Sequence, residues 1–353
     1  MAASSRIVVR KAREEDYQAV LDITAEFNNG ADYLNVQYSE LINDPDSSYY
    51  VCEVDGEVAA FEGVSLVDDN KTLMTRSARV KEKFRGQGLL TAIRKKIYDD
   101  YKDVPGEKRV RTCCTNLVRL VDSPTFRSQN RTLAIRPLVV FQPLETIQLP
   151  EAYNNHVPDA RETDLDCLSA IFQIPQLVSY LFPAGFLIVI SWFFEPLISN
   201  MKHIKKQQPH VVISAALENS VKKFSSQSDL QKPQPGMSSG CDKETKGSPL
   251  GLLAVIAYYT SPNMILIAVD LYGEPRQGYE DCDVQHVLFH CLKIAIAAME
   301  KDESHVPLCL GIGTRNTAIT DICTRVLKPL GFHHVENYKC HYFFEQDFEK
   351  LLK

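Results

Sequence analysis

The spacing of apolar and polar positions changes several times along the chain, and each change marks an element. Ile7–Val9 is a short β-branched run that predicts a strand. Over Arg13–Phe27 the spacing becomes three and four residues, with Tyr17, Val20, Leu21 and Thr24 on one face, which predicts a helix. Glu14, Glu15 and Asp16 complement the dipole of its first turn, and Asn28-Asn29-Gly30 ends it. A shorter helix is predicted over Val36–Ile42. The period then drops to two: Tyr49–Val54 and Glu57–Leu66 flank the turn Asp55-Gly56, and Thr72–Val80 returns after Asp68-Asp69-Asn70. That order predicts an antiparallel meander. The third strand runs into Lys81–Gly88 and then an amphipathic helix, Leu89–Tyr101, with Leu90, Ile93, Ile97 and Tyr101 inward. Strands are predicted at Arg109–Thr115 and Leu133–Phe141.

Pro143 and Pro150 suggest a boundary, dividing residues 1–149 from 150–353. Beyond it, Ser220–Ser248 is rich in Ser, Gln, Lys, Pro and Gly and reads as a mobile linker. Strands Leu252–Tyr259 and Met264–Leu271, helix Asp283–Met299, strand Leu308–Gly311, helix Asn316–Lys328 and strand Tyr338–Phe344 follow. Their order mirrors the first half and predicts a second domain on the same plan. Leu177–Phe194 carries no charge over eighteen residues, the lower edge of a membrane span. Pro183 and Gly185 interrupt it and Glu195-Pro196 closes it, so a turn followed by a buried strand, Phe186–Phe193, is the expected form.

Composition narrows the class. The chain has 353 residues, 44% hydrophobic and 24% charged, as in a globular protein with room for two domains. A net charge of −6 argues against a general nucleic-acid binder, and no membrane partner is expected. Ten cysteines without a C-x-x-C spacing, behind an N-terminus lacking an apolar core, read as reduced thiols in a cytoplasmic protein. No metal is expected: His286 and His290 sit four apart near Cys282 but lack a complementary ligand pair and read as a helix face. Cys113 and Cys114 point to opposite faces of a strand, which argues against a joint role.

The chemistry concentrates at Arg85-Gly86-Gln87-Gly88. Glycines there let the backbone approach a ligand, and the unused N–H groups of the helix start suit a pyrophosphate. A dinucleotide fingerprint would need a third glycine at position 91, which is Thr91, and a Walker loop would need Gly-Lys-Ser/Thr. Set between an antiparallel meander and a helix, the loop resembles that of the GNAT superfamily of acyl-CoA N-acyltransferases. Gly30-Ala31-Asp32-Tyr33-Leu34, Asp55-Gly56-Glu57-Val58, Phe61-Glu62-Gly63-Val64 and Arg79-Val80 are similar to the vertebrate histidine N-acetyltransferase group over about residues 6–140. The resemblance implies a mixed α/β (α+β) fold, a mainly antiparallel sheet flanked by helices, with a second, degenerate GNAT-like half. It departs from the pattern at Lys83, at Arg76 (where the histidine-acetylating group has Glu) and at Asn130 (near an expected Tyr).

The resemblance further implies acetyl-CoA as co-substrate, held by Arg79, Val80, Lys83, Arg85, Gly86, Gln87, Gly88 and Leu89, and direct attack of an amine on the thioester. The Val80 N–H is expected to polarise the carbonyl. Glu62 is the candidate proton acceptor, against the plainer reading of a surface carboxylate on an alternating strand. Arg76 suits an acceptor carboxylate, against an outward-facing strand residue. Asp32 and Tyr33 are the candidate acceptor wall. The expected acceptor is a small-molecule amine such as the α-amino group of histidine. A protein or peptide acceptor, and a non-catalytic acyl-CoA-binding module, remain open alternatives. The second half's corresponding loop, Tyr272–Gly278, lacks paired glycines and carries Pro275 and Glu274, so it is expected not to bind CoA.

Overall fold

The computed structural model describes residues 6–24, 32–115, 130–143, 147–153, 156–228, 250–301, 306–334 and 340–352. The chain forms two compact units that are discontinuous in sequence. The first comprises Met1–Arg136, Tyr259–Leu266 and Tyr338–Lys353; the second comprises Pro137–Tyr258 and Ile267–Asn337. The division therefore differs from one cut near Pro143–Pro150.

In the first unit β1 (Ile7–Lys11) leads to α1 (Tyr17–Leu21) and α2 (Leu34–Ile42). Strands β2 (Ser47–Val54), β3 (Glu57–Val67) and β4 (Thr72–Val80) form the meander, followed by α3 (Leu89–Tyr101) and β5 (Arg109–Thr115). The sheet order is β1-β2-β3-β4-β5, completed by strand Cys340–Asp347 on β5. All these pairs are antiparallel except β4–β5. Alternation sorts the two faces. Tyr50, Cys52, Ala60 and Val64 pack under Leu89, Ile93 and Ile97 of α3. Tyr49, Val51 and Phe61 pack on the other face with Val20, Leu34 and Tyr38 of α1 and α2. A buried Arg111 lies between Asp68 (2.7 Å) and Glu345 (2.9 Å), joining the strand Cys340–Asp347 to β5 by charge as well as by backbone.

Gly63 shows why its side chain is a hydrogen. It pairs with Tyr49, and a Cβ there would fall 2.2 Å from the tyrosine ring. The bare backbone lets that ring lie across β3 and stack on Phe61, with ring centroids 5.6 Å apart.

Three sequence expectations need correction. The helix predicted over Arg13–Phe27 is a 3₁₀ turn, Glu14–Asp16, and five helical residues. Ile23 and Thr24 N–H groups bond to Val20 and Leu21, so the spiral tightens to i→i−3 and stops; residues 25–31 lie outside the described residues. The strand predicted over Phe186–Phe193 is a hairpin, Leu187–Val189 with Trp192–Phe194, because Ile190 turns the chain with φ +60°. Helix Pro175–Leu181 precedes it, so Leu177–Phe194 contains no membrane-length helix. Finally, residues 220–228 of the predicted linker end helix Ala215–Ser228, and residues 229–249 lie outside the described residues.

In the second unit the strand order is residues 137–143 of Arg131–Pro143, Leu308–Thr314, residues 267–274 of Met264–Glu274, residues 251–258 of Gly251–Ser261, His210–Ser214 and Ala160–Thr163, with Phe332–His334 also on Arg131–Pro143. Among the described residues one helix, Glu280–Lys301, is long and apolar enough to cross a membrane by length and composition; 61% of its apolar window is buried.

Candidate active site

Parallel pairing of β4 with β5 begins at Thr72↔Arg109 and ends at Thr75↔Thr112. Past that point each strand keeps only its outer partner: Val80 still pairs with Ala60 of β3, and Cys114 with Tyr342. A gap therefore opens between residues 76–80 of β4 and the end of β5. It starts at a β-bulge, where Ser77 and Ala78 oppose the single residue Glu62, and Ser77 takes a left-handed φ of +57°. Lys81 N–H bonds to Ala59 O at 2.8 Å, so by alternation the N–H of Val80 faces away from β3 and into the gap.

The loop after β4 ends where α3 begins. Gly86 (φ +77°) and Gly88 (φ +76°) both need the left-handed region, yet a Cβ at either would meet nothing within 4 Å. The glycines are required by backbone conformation in a loop open to solvent. Gly88 is the N-cap, without a side chain to bond the first N–H groups of the 13-residue α3. Of the cations, Lys83 and Lys81 bind Glu57 at 2.6 and 2.8 Å, and these pairs hold the Glu57 carboxyl below its ordinary range. Arg85 has no carboxylate partner among the described residues and donates to the Val80 carbonyl at 3.4 Å. Gln87 Nε2 donates to Lys83 O at 3.3 Å.

Two residues given separate roles from sequence meet in one ion pair. The guanidinium of Arg79, 1% exposed, binds Asp32 at 2.8 and 3.2 Å, and Asp32 also accepts the Leu34 N–H at the start of α2. Arg79 therefore ties the chain before α2 to β4, with its charge spent on Asp32. Tyr33 stands next to this lock. Its hydroxyl bonds Ser77 Oγ on the bulge, its ring meets Tyr259 edge-on at 6.0 Å, and the Arg76 guanidinium lies 5.6 Å over its face. Arg76 is thus half-buried against tyrosines, not projecting outward. Tyr49 adds its hydroxyl to the same surroundings; burial pushes that phenol up to about 12, against the pull of the Arg76 charge.

On the α3 face, Glu62 is 0% exposed, which removes the reading of a surface carboxylate. Arg94 of α3 holds it, Nη2 donating to Oε1 at 3.1 Å and Nε to Oε2 at 3.3 Å. Sequence reasoning missed Arg94 and Ser77. Arg94 did leave a signal: it stands four residues after Leu90 and between Ile93 and Ile97, a charge on the face predicted to point inward.

Residues 8–119, which contain the meander, the loop, α3 and β5, match the acetyltransferase (GNAT) family. This segment is a GNAT acetyltransferase domain. Over 78 residues the chain is 30% identical to a histidine N-acetyltransferase of Oreochromis niloticus, covering 22% of this chain and 23% of that protein. It is 32% identical to a probable N-acetyltransferase 16 of Homo sapiens, covering 22% and 21%. These alignments span less than a quarter of the relatives' own length. Among solved structures, a tandem GNAT protein from the clavulanic acid biosynthesis pathway superposes with a TM-score of 0.52 at 10% identity, covering 97% of this chain and 99% of that one. A GCN5-related N-acetyltransferase from Sphaerobacter thermophilus gives 0.50 at 14% identity, covering 97% and 96%. These likenesses concern the fold, and they extend the GNAT fold to a second half.

The second half's loop is built differently from that of the GNAT domain. Gly273 (φ +82°) lies where a Cβ would meet Gly251 O at 2.3 Å and the Tyr180 ring at 3.0 Å, so this glycine serves packing. Asp283 occupies the start of helix Glu280–Lys301, accepting the Arg276 N–H at 2.7 Å and binding the Arg276 guanidinium. The Asp283 carboxylate is thereby committed to Arg276 in the first turn of this helix. Nearby, buried His286 lies 3.7 Å from Cys282, and His290 donates to Ala160 O at 2.9 Å.

Proposed function

We propose that this chain transfers the acetyl group of acetyl-CoA to an amine, with histidine or a related small amino compound as acceptor. The observation that carries the reading is the exposed glycine loop at the α3 N-terminus, placed directly after a β4 edge that β5 leaves uncovered. The pyrophosphate would take the N–H groups of Gln87, Gly88 and Leu89, with Arg85 as the available cation and Lys83 beside it. The acyl arm would follow β4, where the Val80 N–H meets the thioester carbonyl. A backbone donor of this kind is worth about 10²–10³ in rate when it faces the developing oxyanion.

The acceptor belongs on the α1–α2 face, against Tyr33 and Arg76, in a wall that Asp32 and Arg79 hold in place. Arg76 would bind a carboxylate; its distance from the bulge at Ser77 is a single residue. An α-amino group titrates near about 8, so the reactive neutral form is a minor but accessible fraction at neutral pH. Attack forms the C–N bond, breaks the C–S bond and releases CoA thiolate and a proton. Support for histidine comes from the relatives aligned over the 78 residues. The test is thiol release from acetyl-CoA by purified protein across amino acids, polyamines and short peptides. A single responding amine whose turnover is lost in Gly86→Asp supports the reading, and a response restricted to peptides would move the acceptor class. CoA binding without turnover on any amine would instead favour a non-catalytic acyl-CoA-binding module.

A further inference from the structure

Glu62, Arg94 and Cys114 come from β3, α3 and β5 and converge on the region where β4 and β5 part. Glu62 opposes the Ser77–Ala78 bulge, and Cys114 lies two residues past the last β4–β5 pair. Arg94 binds the first and is within electrostatic reach of the second, which sets its guanidinium above the gap. Its side chain is 35% exposed whereas Glu62 is 0% exposed, so the cation is the reachable member of the pair. Glu62 engages Nε and Nη2; Nη1 makes no hydrogen bond among the described residues.

In the acetyl transfer proposed above, on which this inference rests, the carbonyl meets Val80 and the sulfur lies in the same gap. When the C–S bond breaks, the electron pair stays on sulfur, and the thiolate must be stabilised until it takes a proton from water. We propose that Arg94 is the counter-ion of the departing CoA thiolate, and that Glu62 is a positioning residue that holds Arg94 over the gap. A guanidinium does not give up its proton, so Arg94 acts by charge and by its Nη1 donors rather than as an acid. The surroundings agree. Glu62's charge keeps the Arg94 pKa above its ordinary value. Burial pushes the Cys114 thiol up to about 11, so that neighbour stays neutral and leaves Arg94 uncompensated on that side; Arg94's own charge pulls on Cys114 in the opposite direction, as it would on the CoA thiol.

The test is the thiol pKa of CoA bound to the full 353-residue chain, read from ultraviolet thiolate absorbance as the difference between CoA and desulfo-CoA complexes. The free thiol titrates near about 8.5 by analogy with cysteine. Wild type is expected to depress it by about one unit, a tenfold change in the thiolate-to-thiol ratio. Arg94→Lys should keep most of the shift, and Arg94→Gln should abolish it while desulfo-CoA affinity stays within about threefold. A depressed pKa that survives in Arg94→Gln, or CoA bound by wild type with an unshifted thiol, would overturn the role of Arg94 alone. Should Arg94→Gln not fold, loss of the shift in a folded Arg94→Lys would overturn it equally. Failure of wild type to bind CoA would overturn the acetyltransferase reading with it.

Discussion

Glu62 is a fully buried carboxylate and Arg76 a half-buried guanidinium against tyrosine, so each charge depends on its neighbours. Glu62→Gln keeps the shape of the side chain and removes the charge that holds Arg94. It is expected to lower kcat about tenfold or more, by the same fraction across the accessible pH range, because the loss is of a held cation. A base would behave differently: the acid limb of the kcat profile would disappear in the variant, and that result would return Glu62 to proton transfer. Arg76→Ala is expected to raise the acceptor KM about tenfold, the scale of a lost bidentate carboxylate contact, with the acetyl-CoA KM unchanged. An unchanged acceptor KM would remove Arg76 from the acceptor site. The sequence made both residues visible as charges on strands. Alternation puts Glu62 on the same face as Ala60 and Val64, but the sequence did not show that α3 covers that face there, because the partner Arg94 lies 32 residues away. Nor did it show that Asp32 and Arg79, 47 residues apart, neutralise one another.

Elements with a regular pattern were legible, the short strand Ile7–Lys11 and helix Leu34–Ile42 among them, whereas breaks inside a regular or apolar run were not. The bounds of α3 and β5 follow from the helical period of Leu89–Tyr101 and the breaker Pro105-Gly106, and the meander from the Asp55-Gly56 turn. Helix α1 ended early because hydrogen bonding tightened at Ile23 and Thr24, which residue type does not signal. The apolar run Phe186–Phe193 hid a turn at Ile190, a residue that seldom takes positive φ. In β3 the decisive residue is Gly63. Gly63→Ala would drive a methyl group into the Tyr49 ring, whose stack on Phe61 leaves it little room to retreat. We expect a loss of about 1–3 kcal/mol, seen as a lowered midpoint in urea unfolding. A variant with the wild-type midpoint would show that the ring is free to move and that Gly63 has another reason to be there.

For the whole molecule, repetition of a fold does not imply repetition of a site. The two halves were legible as a repeat because strand, strand, helix, strand recur in the same order after residue 250, and the tandem neighbours share that plan. Their discontinuous division was not legible, since the placement of Tyr259–Leu266 and Tyr338–Lys353 with the first unit depends on contacts far apart in sequence. The halves differ at the start of one helix. Gly86 and Gly88 present the α3 N-terminus to solvent, whereas Asp283 and Arg276 close the start of Glu280–Lys301 and Gly273 packs under Tyr180. A pyrophosphate approaching the second helix would have to displace a carboxylate that is already hydrogen-bonded and 1% exposed, and would meet its charge. Calorimetry on the full chain should therefore give one CoA per chain. Gly86→Asp should abolish that binding, by adding an anion and a strained left-handed side chain, while Arg276→Ala should leave it unchanged within about twofold. Two CoA per chain, or one that persists in Gly86→Asp, would place a working site in the second half and show that the carboxylate at its helix start gives way.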